Sequence, residues 1–437
     1  MLKLYDSLQQ EIRPFKPIHK DRVTMYVCGP TVYGDIHAGN ARPVIFFDVL
    51  KRYLAFSGYH VYYASNITDV DDRIIEKAKQ SPYSEAEITE LFTKNFLDVS
   101  LAIGSQLPDE MPKATAYIKE MIEYIQLLID KGHAYVVPGG VYFKVDSIDD
   151  YGILSKQNLD DLSSGVRITL EDEKKDPKDF TLWKVTDDGL NFESPWGKGR
   201  PGWHTECAVM NHELFKGEID IHGGGSDLKF PHHENEIAQS MAINHHHLAR
   251  FWMHVGRLDI NFEKMSKSLG NITLVKDLIE TYDPYAFRLL MVSHHYRQKI
   301  NYSDELMVQY QKEYDKIKRT LKKTYLTLRL SGKKATTINE EAIKVFKSYM
   351  DDDLNTPNVL TLIQDLIKEV NKTSAFDQLA KNYNTIQIIL GVLGIELNFY
   401  LSDEMLNTYK DWEVARNQKD YEKADVLRQV LIDKGWI

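Results

Sequence analysis

The chain has 437 residues, 43% of them hydrophobic and 27% charged, with a formal net charge of −10. That length exceeds what one core usually serves and points to two to four domains, and the acidic balance excludes indiscriminate nucleic-acid binding while leaving room for a local basic surface. Two cysteines exclude a disulfide scaffold and fit a reducing cytoplasm; no run of about 18 apolar residues offers a membrane span, and MLKLYDSLQQEIRP lacks the apolar core of a secretion signal.

In chain order, VTMYVC (23–28) reads as a strand ending on Cys28, followed by the loop GPTVYGDI. A helix is predicted through ARPVIFFDVLKRYLAFSG, with Val44, Phe47, Leu50 and Leu54 near one face and Gly58 as its stop. HVYYASN (60–66) is the next strand, and DVDDRIIEKA opens another helix with acids in its first turn, where the helix dipole favours them. Strand, helix and strand at this spacing predict a parallel, doubly wound sheet. Residues 117–198 differ in texture: PGGVYFKV is a short strand signal and LEDEKKDPKD a surface loop, so the stretch reads as an insertion splitting a nucleotide-binding fold in two.

The second half resumes at EIDIHGGGSDLKFPHHENEIAQSMA (218–242), a strand, a triple-glycine loop and a helix from about Pro231. The histidines at 245–247 read as a polar, solvent-facing loop. Beyond Ser303 helical patterns dominate. KEYDKIKRTLKKTYLTLRLSGKK (312–334) is a basic helix whose plainest reading is a solvated face. MDDDLNTPNVLTLIQDLIKEV places Pro357 near a helix start with Leu360, Ile363 and Ile367 on one stripe, and 410–434 reads as two short helices.

Three constellations carry chemistry. Cys28, Cys207 in GRPGWHTECAVM, and His232 with Glu236 in PHHENE would together make a tetrahedral set suited to Zn²⁺. Spacing alone does not single that set out, because there is no CxxC and a core cysteine beside a hydrogen-bonded histidine is the more ordinary arrangement. HAGN (37–40) stands at a helix start: Gly39 lets backbone approach a polyphosphate, and His37 and Asn40 can donate to oxygens gaining charge. A simple helix cap is the competing reading. In EKMSKSLGN (263–271), Lys264 and Lys267 lie three apart in a Ser/Gly-containing loop that could close over a pyrophosphate leaving group.

HAGN followed more than 200 residues later by KMSKS resembles the paired ATP-binding signatures of class I aminoacyl-tRNA synthetases. MYVCGPTVYGDIHAGNARP, SNITDVDDRI, SPWGKGRPGWHTECAVM, DIHGGGSDLKFPHHENEIAQS, KMSKSLGN and MDDDLNTP narrow the resemblance to the cysteinyl-tRNA synthetase family, colinear over most of the chain. The resemblance implies an α/β fold: a class I Rossmann-like, parallel-sheet catalytic domain split by an insertion, followed by a C-terminal helical bundle. Its parts would be 1–116 and 199–250 for the two catalytic halves, 117–198 for the insertion, 251–306 for the KMSKS loop and stem-contact region, and 307–437 for a helical tRNA- and anticodon-binding domain.

The same resemblance implies one Zn²⁺ per chain on Cys28, Cys207, His232 and Glu236, Mg²⁺ with ATP, and L-cysteine and tRNA as further partners of a cytoplasmic monomer. His37, Asn40, Lys264 and Lys267 would be catalytic. His37, Gly39, Asn40, Gly225, Asp227 and Lys267 would bind ATP, and Gly29, Thr68, Trp203 and His232 would surround the amino acid. Zinc's preference for a soft sulfur ligand would separate cysteine from serine, so no editing domain is expected, and 117–198 is short for one. The family's first signature often has a second histidine where this chain has Asn40. The family often carries a basic, Trp-containing tail after its last helix pair, whereas this chain stops at LIDKGWI. Two other readings share these motifs: a ligase passing cysteine to an amino-sugar, which has no use for the basic helical end, and a non-catalytic RNA-binding paralogue, which has no use for both lysines.

Overall fold

The computed structural model describes residues 1–156, 174–260, 263–264, 272–333 and 336–436. A hairpin of β1 (Lys3–Asp6) and β2 (Glu11–Pro14) precedes β3 (Arg22–Val27). Five of the six β3 residues are buried, the continuous apolar run expected of a parallel strand covered on both faces. The helix that follows, α1 (Ala38–Phe56), begins three residues earlier than the apolar periodicity predicts, because His37 is its N-cap and HAGN itself forms the first turn. Phe47, Leu50 and Leu54 are buried along it, as are two charged residues, Arg42 and Asp48. β4 (His60–Ser65) closes the first βαβ unit, and α2 (Asp72–Lys79), capped by Asp71, and α3 (Glu85–Ala102) follow.

The insertion holds α4 (Ile118–Asp130) and a four-stranded antiparallel sheet of β5 (Ala134–Val137), β6 (Gly140–Phe143), β7 (Phe180–Val185) and β8 (Gly199–Pro201) in that order. Its last strand runs to Pro201, past the predicted edge at 198, because Val185 and Trp183 pair with Gly199 and Pro201. The chain then returns through α5 (Trp203–Phe215), β9 (Ile219–Gly225), α6 (Glu234–Asn244) and β10 (Ala249–Val255). α6 starts at Glu234 rather than at Pro231: Phe230 is extended (φ −139°, ψ 135°) and breaks the turn before it. Of the histidines at 245–247 only His245 is exposed, since His247 pairs with Asp150 at 2.9 Å and His246 accepts from Leu248 N–H at 3.1 Å.

The central sheet has the order β10-β9-β3-β4, all parallel, with Val27 beside Gly223 and Ser65, and Gly225 beside Val255. The carboxyl ends of four strands therefore share one edge, where open α/β sheets place ligands. Beyond it β11 (Leu258–Ile260) and β12 (Glu263–Lys264) form a small sheet that continues, after α7 (Val275–Thr281) and α8 (Pro284–Val292), into β13 (Ile300–Tyr302).

The predicted basic helix is the outer part of α9 (Asp304–Leu330), which buries Met307, Tyr314, Ile317 and Leu321 and exposes Lys312, Lys316, Arg319 and Lys323. α10 (Glu340–Met350), α11 (Thr356–Lys372) and α12 (Phe376–Val392) complete a bundle, and α13 (Asp403–Asn417) with α14 (Tyr421–Asp433) forms a terminal hairpin. The bundle shares one apolar core with the catalytic sheet, in which Phe47, Tyr53, Phe346 and Ile389 are all fully buried. Among the described residues, no helix is long and apolar enough to cross a membrane.

Candidate functional site

Cys28 leaves β3 at the sheet edge, Cys207 faces it from the second turn of α5, and His232 and Glu236 approach from the turn before α6 and its first turn. Cys28 Sγ lies 3.2 Å and His232 Nε2 3.1 Å from the same oxygen, Glu236 Oε1. With Cys207 Sγ, these donor atoms all fall within 4.8 Å of one another. The arrangement the sequence spacing left open is thus met in space, although His232 and Glu236 do not share a regular helix.

Around it stands a shell of histidines. His204 Nδ1 is 3.0 Å from His232 Nδ1, which leaves the Nε2 of His232 turned to the cluster. His222 Nε2 is 3.2 Å from Glu236 Oε2 and 3.6 Å from Cys28 Sγ, and His233 Nδ1 is 2.9 Å from His254 Nε2. Cys28, His222, His233 and Glu236 form a second close set sharing two of the same residues. Burial, reinforced by the neighbouring Cys207, holds the Cys28 thiol well above its ordinary range. Burial likewise pushes the imidazoles of His232 and His233 well below theirs, and that of His204 down to about 4. Neutral imidazoles and thiols, packed with a carboxylate in a dry pocket, are what a bound dication would reorganise by drawing out thiolates.

A cavity of ≈ 270 Å³ opens beside this cluster, walled by Cys28, Gly29, His37, Asn40, Trp203 and Asp227, among others. Gly29 is glycine for contact reasons, since a Cβ there would overlap the carbonyl oxygen of Asn66. Gly39 leaves room for the His37 ring, 3.0 Å from where its Cβ would stand. His37 and Asn40 cap one another: Asn40 N–H donates to His37 Nδ1 at 3.3 Å and His37 N–H to Asn40 Oδ1 at 3.4 Å. The capped turn also lies on the cavity wall, so capping does not remove these residues from the cavity. Trp203 stacks on His232 with ring centroids 4.2 Å apart.

A family model described as tRNA synthetases class I (C) catalytic domain matches residues 14–312, and one described as DALR domain matches 345–398. The cysteine–tRNA ligase of Acholeplasma laidlawii is 55% identical, with all of both chains covered. That of Staphylococcus carnosus is 42% identical over 99% of this chain and 96% of its own. The chain belongs to the cysteine–tRNA ligase family. Solved structures agree on the fold at much lower identity: a Mycobacterium tuberculosis methionyl-tRNA synthetase with methionyl-adenylate superposes with a TM-score of 0.63 at 14% identity, covering 85% of this chain and 89% of its own.

Within this ligase, Gly225 and Asp227 sit at the end of β9 on the same cavity wall as His37. Thr68 stands elsewhere: it is buried behind the wall, where its Oγ1 donates to Glu206 Oε2 at 3.0 Å and accepts from Asn66 Nδ2 at 3.1 Å. Lys264 is described through its backbone alone, paired with Asp259, and Lys267 lies outside the described residues.

Several residues around the site escaped the sequence reading. Asn66 accepts from Gly29 N–H at 2.8 Å and lies 3.5 Å from Cys207 Sγ. Arg73 lines the cavity, donates to Thr31 Oγ1 at 2.9 Å and lies over the rings of Tyr33 and Trp203. Arg73 and Asn66 both fall inside SNITDVDDRI, so a signal was present without a role attached.

Proposed function

We propose that this chain activates L-cysteine with ATP, giving cysteinyl-adenylate and pyrophosphate, and transfers the cysteinyl group to the 3′ end of tRNA. The observation that carries this reading is the buried thiol–imidazole–carboxylate cluster beside the HAGN turn on one cavity, an arrangement that would suit a sulfur-selective site next to a phosphate-binding helix start. The DALR-domain match and the basic face of α9 support tRNA over a small acceptor.

Cys28, Cys207, His232 and Glu236 would hold one Zn²⁺. Bonds of about 2.0–2.3 Å to N, O and S donors generate tetrahedral edges of about 3.3–3.8 Å, so separations of 3.1 and 3.2 Å need little adjustment. This set carries two thiols and is preferred over the one containing His222 and His233, in which His233 is already hydrogen-bonded to His254. Bound there, zinc supplies a soft ligand position that favours a substrate thiolate over the hydroxyl of serine. His204 would fix the ring of His232 so that its Nε2 stays turned to the cluster.

In the first step the cysteine carboxylate attacks the α-phosphate of Mg·ATP and the P–O bond to pyrophosphate breaks. Positioning and charge neutralisation supply most of the acceleration in such a transfer. The His37 and Asn40 side chains at the α1 N-terminus donate to the phosphates, and Lys264 and Lys267 offset charge on the departing pyrophosphate. Gly225 and Asp227 bound the adenosine. Gly29 and Trp203 bound the amino acid, and Thr68 acts from behind through Asn66.

The test is cysteine-dependent ATP–pyrophosphate exchange with serine as competitor, before and after chelation, followed by charging of tRNA. Cysteine-selective exchange that falls with metal, and goes on to charging, is the expected result. Folded, zinc-loaded protein without exchange would overturn the reading, and exchange without charging would overturn the acceptor.

A further inference from the structure

Arg42 sits on α1 two residues after Asn40, is 2% exposed, and has no carboxylate within ion-pairing distance among the described residues. Its guanidinium is instead caged by four backbone carbonyls. Nη1 donates to Gly256, to Gln298 at 2.6 Å and to Arg257 at 3.3 Å, and Nη2 donates to His295 at 3.1 Å. Burial without a counter-charge lowers its affinity for a proton, to a pKa of about 10. Among the described residues the other buried arginines, Arg200 and Arg288, are paired with Asp72 and Asp48, so Arg42 is distinguished by what it holds. A buried cation is costly to desolvate, and packing alone would be served as well by an apolar side chain. The rigid fork of N–H donors suits fixing several carbonyls at once.

Two of those carbonyls, of Gly256 and Arg257, belong to the cavity wall, and the other two, of His295 and Gln298, to the loop before β13. Val255, Gly256, Arg257 and Leu258 line the cavity beside Gly225, whose strand pairs with that of Val255. The same segment leads directly into β11 and β12, toward Lys264. On the far side of the KMSKS sequence the chain is tied to the same helix: Ala38 N–H donates to Thr273 O at 2.9 Å, Val275 N–H donates to Ile36 O at 3.1 Å, and His37 bridges Leu274. The stretches before and after KMSKS are thus both hung from the first turns of α1, one through Arg42 and the other through backbone bonds at its cap.

We infer that Arg42 is a positioning residue for adenylate formation, fixing the 255–258 cavity wall and the stem leading to KMSKS at a set distance from His37 and Asn40. The inference rests on the ligase reading above. It makes the first chemical step sensitive to Arg42 while leaving cysteine binding, at Gly29 and Trp203, and acyl transfer largely independent of it.

The experiment compares wild-type, Arg42→Gln and Arg42→Lys full-length chains by rapid quench. It measures adenylate formation from ATP and cysteine, transfer from preformed cysteinyl-adenylate to tRNA, and cysteine affinity. Arg42→Gln is expected to slow adenylate formation at least tenfold, with transfer and cysteine affinity within about threefold of wild type. Arg42→Lys, which keeps the charge but reaches fewer carbonyls, is expected to restore part of the loss. Adenylate formation at the wild-type rate overturns the inference, as does a parallel fall in all three quantities, which would mark a general structural role. If Arg42→Gln yields no folded protein, the same step-selective loss is required of Arg42→Lys, and its absence overturns the inference. Wild-type protein that forms no cysteinyl-adenylate overturns the ligase reading and this inference with it.

Discussion

His204 and His232 face each other through like atoms, Nδ1 to Nδ1 at 3.0 Å. One ring must donate and the other accept, so each fixes the other's tautomer, and the Nε2 of His232 is left for the cluster with Glu236. Removing such an orienting partner typically weakens metal affinity about 10–100-fold. His204→Ala should therefore lose zinc to a chelator at correspondingly lower concentration while keeping its thermal transition in excess zinc. Unchanged competition curves would show that His232 needs no such support.

Cys207→Ser replaces one of two thiols in the cluster. Zinc content and discrimination of cysteine against serine should fall together, measured by metal analysis and by exchange with each amino acid. Full zinc occupancy in this variant would break the proposed ligand set.

Lys267→Ala should slow adenylate formation by about 10²-fold or more, the usual scale for losing one transition-state charge contact, with zinc content unchanged. Stopped-flow measurement of the first step decides it, and an unaltered rate would remove Lys267 from the chemistry.

Arg288 donates to Asp48 of α1, to Ile103 O at 3.2 Å, to Ser105 Oγ at 3.0 Å and to Leu393 O at 2.6 Å, pinning the catalytic helix to the bundle. Arg288→Met leaves Asp48 with Arg52 as its remaining cation. Breaking a buried pair costs about 3–5 kcal/mol, reduced here by that second partner, so a loss of about 2–4 kcal/mol is expected in urea unfolding. A change below 0.5 kcal/mol would show the pair to be incidental.

Acid should loosen the fold before the carboxylates titrate. His254, clamped between His233 at 2.9 Å and Ser7 at 2.8 Å, is pushed down to about 3 by burial and by neighbouring Lys229, whereas an unfolded histidine titrates near 6.5. The native state therefore binds fewer protons than the unfolded one below pH 6.5. Its contribution is fully present above that pH and is lost progressively as pH falls toward 3. Urea midpoints should drop between pH 7 and 5, with a shallower drop in His254→Gln. Equal slopes would assign the effect to other groups.

How far the chain could be read without coordinates follows from which physical signals are local. The buried β3 run and the periodicity of α1 are properties of neighbouring residues, and they gave the parallel βαβ unit directly. HAGN and KMSKS are short enough to survive as motifs and carried the ATP-binding expectation. The four metal-binding candidates come from three separated stretches of sequence. Their spacing was uninformative because the sheet order β10-β9-β3-β4, not the chain order, brings Cys28 to Glu236.

Other features depended wholly on packing. Whether His232 and Glu236 shared a helix was settled by the extended backbone at Phe230, which residue type alone does not announce. The resemblance implies Thr68 near the amino acid, and only the fold shows its hydroxyl bonded to Glu206 and Asn66. Arg42 and Asp48 are charged, yet both are buried among the apolar residues of α1. Their partners lie 214 and 240 residues away, and only the folded chain supplies the carbonyls and the guanidinium that make a buried charge tolerable. The sequence by itself determined the fold class and the family and named the candidate site residues, since each is written in short-range pattern. The tertiary structure decided which of those side chains meet and which buried charges hold the meeting place in shape, because burial and long-range hydrogen bonds exist only once distant strands are side by side.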